Sequence, residues 1–120
     1  MGMFTVQELK AGYKFNLKAG NGQIIASSKA YHVLADCLSA IERVKQCAHA
    51  PVEDQTVRDY KPLPFPKYEV RHTERGSISF YLRDHKGVEL VHGKWYTAKR
   101  SCLAGIHSIG ENAPDAEIIS

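Results

Sequence analysis

The sequence predicts an α+β fold built from two tandem β-β-β-α-β repeats, and three observations carry that prediction. The chain matches itself: a shift of 65 positions places Phe15 on Phe80, Leu17 on Leu82, Gly22 on Gly87, Tyr31 on Tyr96, Cys37 on Cys102 and Ile41 on Ile106. A shift of 64 places Phe4 on Tyr68, Val6 on Val70 and Gly12 on Gly76, so the one-residue slip falls after a turn glycine, where a change of length does least harm. Within each half the hydrophobic period changes from two to three or four, and a proline (Pro51, Pro114) follows the second pattern.

The elements follow in order. "FTVQEL" and "YEVRHT" alternate apolar and polar residues as half-buried strands do, "KAG" and "ERG" supply turns, and "YKFNLKA" and "SISFYLRD" alternate again. "NGQIIAS" and "KGVELVHG" open on glycine and continue as third strands, giving an antiparallel meander in each half. Leu34, Cys37, Leu38, Ile41, Val44 and Ala48 then recur at helical spacing, as do Ala98, Cys102, Ile106 and Ile109. Thr97 is the expected N-cap of the second helix, and His32 holds the matching place in the first. After the prolines, "DQTVRDY" and "DAEIIS" read as one last short strand apiece, and alternation buries either Ile118 or Ile119. Pro62, Pro64 and Pro66 alternate in "YKPLPFPKY", which disfavours helix and central strand and favours an extended connector. Residues 1–120 therefore form a single domain: repeat one at 3–60, a Pro-rich connector at 61–66 and repeat two at 67–120.

The twice-written "F-x-L-x-x-x-x-G" strand pair, the Tyr before each helix, the Cys/Ile helical stripe and the terminal "NAPDAE" resemble the YegP-like family of uncharacterised small bacterial proteins, from about Met3 to the end. "HAPVED" in the first repeat departs from that terminal motif. The resemblance implies two β3-α-β units merging into one antiparallel sheet, with two helices packed on one face and the C-terminal strands exchanged. It implies no activity. Exchange is physically sensible, because a unit of about fifty residues buries too little apolar surface alone and leaves open sheet edges.

Composition sets bounds on function. A chain of 120 residues that is 43% hydrophobic fits a soluble globular class. No apolar run approaches the roughly 18–20 residues of a membrane span, and "MGMFTVQELK" lacks the order of a signal peptide, so a cytoplasmic location is expected. Val6 stands where a myristoylation motif wants Ser or Thr. Cys37, Cys47 and Cys102 are odd in number and lack Cys-x-x-Cys spacing, so they read as buried small hydrophobes. No nucleophile elbow or phosphate-binding P-loop is present. Cys102 and His107 lie five apart on one helix, a spacing that turns the second side chain away from the first, so no metal site is expected. Trp95, Tyr31 and Tyr96 read as packing where the third strands meet the helices.

One surface invites a functional hypothesis. If Phe15, Leu17, Phe80 and Leu82 face the helices, alternation sends Lys14, Asn16, Lys18, Ser79, Tyr81 and Arg83 to the opposite side. Lys14, Lys18, Tyr81 and Arg83 are the candidate ligand-binding residues, since cations flanking an aromatic on an open sheet suit single-stranded nucleic acid. A solvated sheet face carries such residues in any case. The expected protein is thus a non-enzymatic binding or assembly module without cofactor, and a monomer with an internal pseudo-dimer. Single-stranded nucleic acid is one alternative reading. A small enzyme with a site between the repeats, calling on the histidines, is the other.

Overall fold

The computed structural model describes residues 2–119. Repeat one supplies β1 (Met3–Leu9), β2 (Gly12–Lys18), β3 (Ile24–Ser27), α1 (Leu34–Cys47) and β4 (Val52–Asp54). Repeat two supplies β5 (Lys67–His72), β6 (Ile78–Arg83), β7 (Glu89–His92), α2 (Lys99–Asn112) and β8 (Glu117–Ile119). All eight strands form one sheet in the order β4-β5-β6-β7-β3-β2-β1-β8. The meanders are antiparallel within themselves and meet at the Ser27–His92 pair of β3 and β7.

The exchange lies at the edges. β4, which follows the helix of repeat one, pairs with β5 of repeat two, and β8 pairs with β1 of repeat one. Both exchanged strands run parallel to their new neighbours, so the sheet is mixed at its two edges and antiparallel between them. A helix that crosses the sheet and returns its chain beside a strand of the other repeat delivers a parallel strand, whereas hairpins deliver antiparallel ones.

Both helices lie on one face, α1 over β2, β6 and β7, and α2 over β3 and β6. The alternation of β2 and β6 sends Phe15, Leu17, Phe80 and Leu82 into this interface, all fully buried, as the sequence pattern requires. Aromatic packing is written twice: Phe4 meets Phe15 edge-on at 5.7 Å and Phe15 stacks on Tyr31, while Tyr68 meets Phe80 at 6.1 Å and Phe80 stacks on Tyr96. Bulges at equivalent places in β3 and β7 add one residue against β2 and β6, and adjacent residues, Ile25 with Ala26 and Leu90 with Val91, are consequently all buried. Gly93 is demanded by the close approach of β7 to the core, because a Cβ there would lie 2.3 Å from the Phe80 ring.

Four local expectations need correction. α2 starts at Lys99 with Ala98 extended before it, and neither helix has a side-chain cap bond, so Thr97 is not the cap. The last strand of repeat one is "VED", directly after Pro51, and "QTVRDY" continues as turn and loop. Ile118 and Ile119 both remain partly exposed, because β8 is an edge strand and its Ala116 approach, not its isoleucines, is what the core covers. Trp95 does not pack: it is 65% exposed, whereas its neighbour Tyr96 is tucked against Phe80.

Candidate functional site

Among the described residues, no helix lies on the second face of the sheet. Cross-strand registers run one row of neighbours over it, Thr5, Asn16, Ser27, His92, Tyr81, Glu69 and Glu53, one from each of seven strands. The pseudo-twofold passes between Ser27 and His92, so Asn16 and Tyr81 occupy equivalent positions.

The two halves of this face differ in chemistry. In repeat one its side chains are Thr5, Gln7, Lys14, Asn16, Lys18 and Ser27, with Ser27 Oγ donating to Asn16 Oδ1 at 2.6 Å. No acid stands among them, and among the described residues Lys14 and Lys18 have no ion-pair partner. In repeat two the charges compensate each other. Lys67 Nζ donates to Glu53 Oε1 at 2.7 Å and lies 3.6 Å from Glu69 Oε2, while Arg83 Nε donates to Glu69 Oε1 at 2.6 Å. Burial opposes ionisation of Glu53, but hydrogen bonds from Lys67, Gln55 and the Leu63 N–H, with the Lys67 charge, outweigh it and hold its carboxyl below the ordinary value. His92 beside Glu89, 3.7 Å away, lowers the Glu89 carboxyl against the opposing effect of its burial. The connector covers this end: the Leu63 N–H donates to Glu53, and the Phe65 ring lies over Gly87 and 5.0 Å from Lys67 Nζ.

The four sequence-predicted residues therefore share a face and fall on it in two groups. β7 and β3 separate Tyr81 and Arg83 on β6 from Lys14 and Lys18 on β2, a gap of three strand spacings or about 14 Å. Arg83 is committed to Glu69. Tyr81 is covered by the Arg71 guanidinium, 4.0 Å from its ring centroid.

Beside Tyr81 lies a cleft of about 380 Å³ at the β5–β6 hairpin, lined by Arg71, His72, Thr73, Glu74, Arg75, Tyr81 and Trp95. The hairpin "TERGS" closes through Thr73 N–H to the Ser77 carbonyl and turns at Gly76, whose φ of 79° is the left-handed region that favours glycine. Arg71 stands opposite Ser79 on β6, which places its long side chain diagonally over Tyr81. Arg71, Thr73, Arg75 and Trp95 were not legible as site residues. Strand alternation identifies Arg71 as outward, but only its cross-strand neighbours reveal that among the described residues it makes no ion pair.

Other groups take less part. All three thiols are buried, and burial pushes each upward, Cys102 to about 11, so they stay protonated at neutral pH. His49 and His107 face a cleft of about 220 Å³ between the helix C-termini, whose remaining walls include Ala48, Tyr68 and Ile106. Among the described residues no three potential metal ligands gather, and no helix is long and apolar enough to cross a membrane.

A mixed sheet assembled from two strand-exchanged β3-α-β repeats, both helices on one side, defines the class of protein. A family model described as a domain of unknown function, DUF1508, matches residues 10–54 and again 74–119, and the chain belongs to that family. The "UPF0339 protein in ptx operon 5'region" of Stutzerimonas stutzeri is 29% identical over 119 residues, covering 98% of this chain and 95% of that protein. A UPF0339 protein of Treponema denticola is 46% identical over 48 residues, which is 83% of that protein but 39% of this chain, the span of a single repeat. The solution structure of yegP from E. coli, described as of unknown function, superposes with a TM-score of 0.79 at 23% identity, over 98% of this chain and 90% of that one. That likeness concerns the fold.

Proposed function

We propose that this protein is a non-catalytic binding module of the cytoplasm, that its contact surface is the sheet face without helices, and that single-stranded nucleic acid is its ligand. One observation carries the reading: Lys14, Lys18 and Arg71, cations without carboxylate partners among the described residues, share that face with Tyr81, and the exposed Trp95 stands beside it. Such a surface can neutralise phosphates along a strand and offer aromatic faces to unstacked bases. The acid-free half, from Thr5 to Ser27, would follow the backbone, and the exposed Trp95 beside Tyr81 would take a base.

The test is retention of the intact protein on single-stranded DNA and RNA as salt is varied. Affinity should fall as salt rises, because counterions released from the strand drive the association. Replacing Lys14 and Lys18 by Ser should lower the logarithmic salt slope by about 1.4, at roughly 0.7 per phosphate contact on a single strand. Arg83 should be left in place, since its removal would strand the buried Glu69. Absence of salt-dependent retention on any single strand would overturn the reading.

A further inference from the structure

The internal repeat provides its own control for the cleft at the β5–β6 hairpin. Registers match Arg71 with Gln7, since Arg71 pairs with Ser79 as Gln7 pairs with Lys14; the shift of 64 also matches Thr73 with Leu9 and Arg75 with Ala11, and the shift of 65 that holds after the turn matches Tyr81 with Asn16 and Trp95 with Ala30. Repeat one thus builds the same strand pair, with a turn one residue shorter, without a guanidinium, hydroxyl or aromatic at any of these places. The fold does not require them. Their joint presence in repeat two is a property of the cleft.

Their chemistry converges on one kind of ligand. Among the described residues, Arg71 Nε and Thr73 Oγ1 are shielded from solvent and have no hydrogen-bond partner, although both are good donors. Among the described residues Arg71 makes no ion pair, since Glu69 is engaged by Arg83 and Lys67, and Glu89, which feels the Arg71 charge, lies beyond ion-pair distance. Stacking on Tyr81 holds the guanidinium plane in place, so an arriving anion meets a fork already ordered. Arg75 and His72 add donors at the rim, against the single carboxylate of Glu74. Trp95 presents its indole to solvent at the same cleft, a surface that is costly to leave wet and suited to stacking a planar ring. The volume of about 380 Å³ falls within the range of small-molecule sites.

We propose that the cleft formed by Arg71, Thr73, Arg75, Tyr81 and Trp95 is a binding site for a phosphate-bearing planar aromatic, the chemistry of a nucleoside monophosphate. The phosphate is held by Arg71, Thr73 and Arg75, and the ring stacks on Trp95. The site does not depend on the rest of the sheet face holding a strand, though the terminal nucleotide of a strand has the same chemistry.

Trp95 is the only tryptophan in the chain, so its fluorescence reports on this cleft alone. Titration of the intact protein with adenosine 5′-monophosphate should change that fluorescence saturably, with a Kd tighter than about 1 mM. Adenosine and inorganic phosphate, each offering half of the recognition, should bind at least about tenfold more weakly, since charge-assisted hydrogen bonds and stacking both contribute. Arg71→Gln and Arg75→Ala install the repeat-one residues, and each should weaken the nucleotide by about tenfold while circular dichroism stays unchanged. Trp95→Ala, at an exposed position, should weaken binding seen by calorimetry and rules out reliance on one variant's folding. A 5′-phosphorylated oligonucleotide that competes with the mononucleotide would identify a strand end as a further source of the ligand. No saturable response to any of the four common nucleoside monophosphates, or a response untouched by both arginine variants, would overturn the proposal. Salt-dependent strand binding without a nucleotide response would remove the cleft and leave the sheet-face reading standing.

Discussion

Replacing Glu53 with Ala removes a buried carboxylate that ties repeat one's exchanged strand to repeat two. Glu53 is 2% exposed and Lys67 6% exposed, and the carboxylate accepts from Lys67 Nζ at 2.7 Å, the Leu63 N–H at 2.6 Å and Gln55 Nε2 at 2.5 Å. After the substitution Lys67 would keep only Glu69, at 3.6 Å and already bound by Arg83. Breaking a buried pair from one side costs about 3–5 kcal/mol, because the surviving charge stays desolvated. Against a total of about 5–15 kcal/mol this is a large share, and it corresponds to a fall in Tm of roughly 10–20 °C. Urea and thermal unfolding measure the loss. Hydrogen exchange locates it, with protection lost first at the Tyr68 and Gln55 amides, whose bonds to Pro51 and Val70 carbonyls join β4 to β5. Replacing both partners, Glu53→Leu with Lys67→Met, should cost much less, since no buried charge remains. A loss below about 1 kcal/mol for Glu53→Ala, the range of exposed pairs, would show that the Glu53–Lys67 pair is not buried as described.

Three further outcomes are expected. Glu53, Asp54 and Glu89 are held below their ordinary values of 4.5, 3.8 and 4.5, so each contributes stability that is complete above its unfolded value and lost as pH falls through its folded one; unfolding curves should be flat from neutral pH and decline below about pH 4.5, less steeply in the double variant. Deleting residues 117–120 uncovers the edge of β1, and with both isoleucines already part-exposed the cost is chiefly backbone pairing, about 1–3 kcal/mol, read as lost exchange protection from Phe4 to Leu17 and not around Tyr68 to Leu82. Because one chain supplies both exchanged strands, sedimentation should give a single species at 13.4 kDa, and a stable dimer would mean that the exchange occurs between molecules.

The architecture was legible because it rests on patterns that one chain writes twice. Period two placed Phe15, Leu17, Phe80 and Leu82 in the core, the helical stripes placed Cys37, Ile41, Cys102 and Ile106, and the repeated proline segments marked where the chain leaves its helices. The direction of the exchanged strands and the position of β4 were less legible, since three residues of "VED" carry almost no periodicity and their strand exists only through β5. The site was least legible of all. Glu53, Lys67, Glu69 and Arg83 are scattered over thirty positions, and only the exchange and the register bring them together to cancel. The same cancellation leaves Arg71 without an ion pair among the described residues, which no local pattern announces. Trp95 misled because an indole beside a strand end usually packs, and here the bridge to Ile78 and the stack on Phe80 hold Tyr96 inward while Trp95 stays outside.

Residue-resolved NMR titration with a short 5′-phosphorylated single strand shows whether the proposed sheet face without helices meets the ligand. The expected shifts trace Lys14, Asn16, Ser27, His92, Tyr81 and Arg71 and end at Trp95, with the outward residues of α1 and α2 unmoved. Shifts confined to the helices, or none at strand concentrations near 1 mM, where even weak binders respond, would contradict a contact at that face.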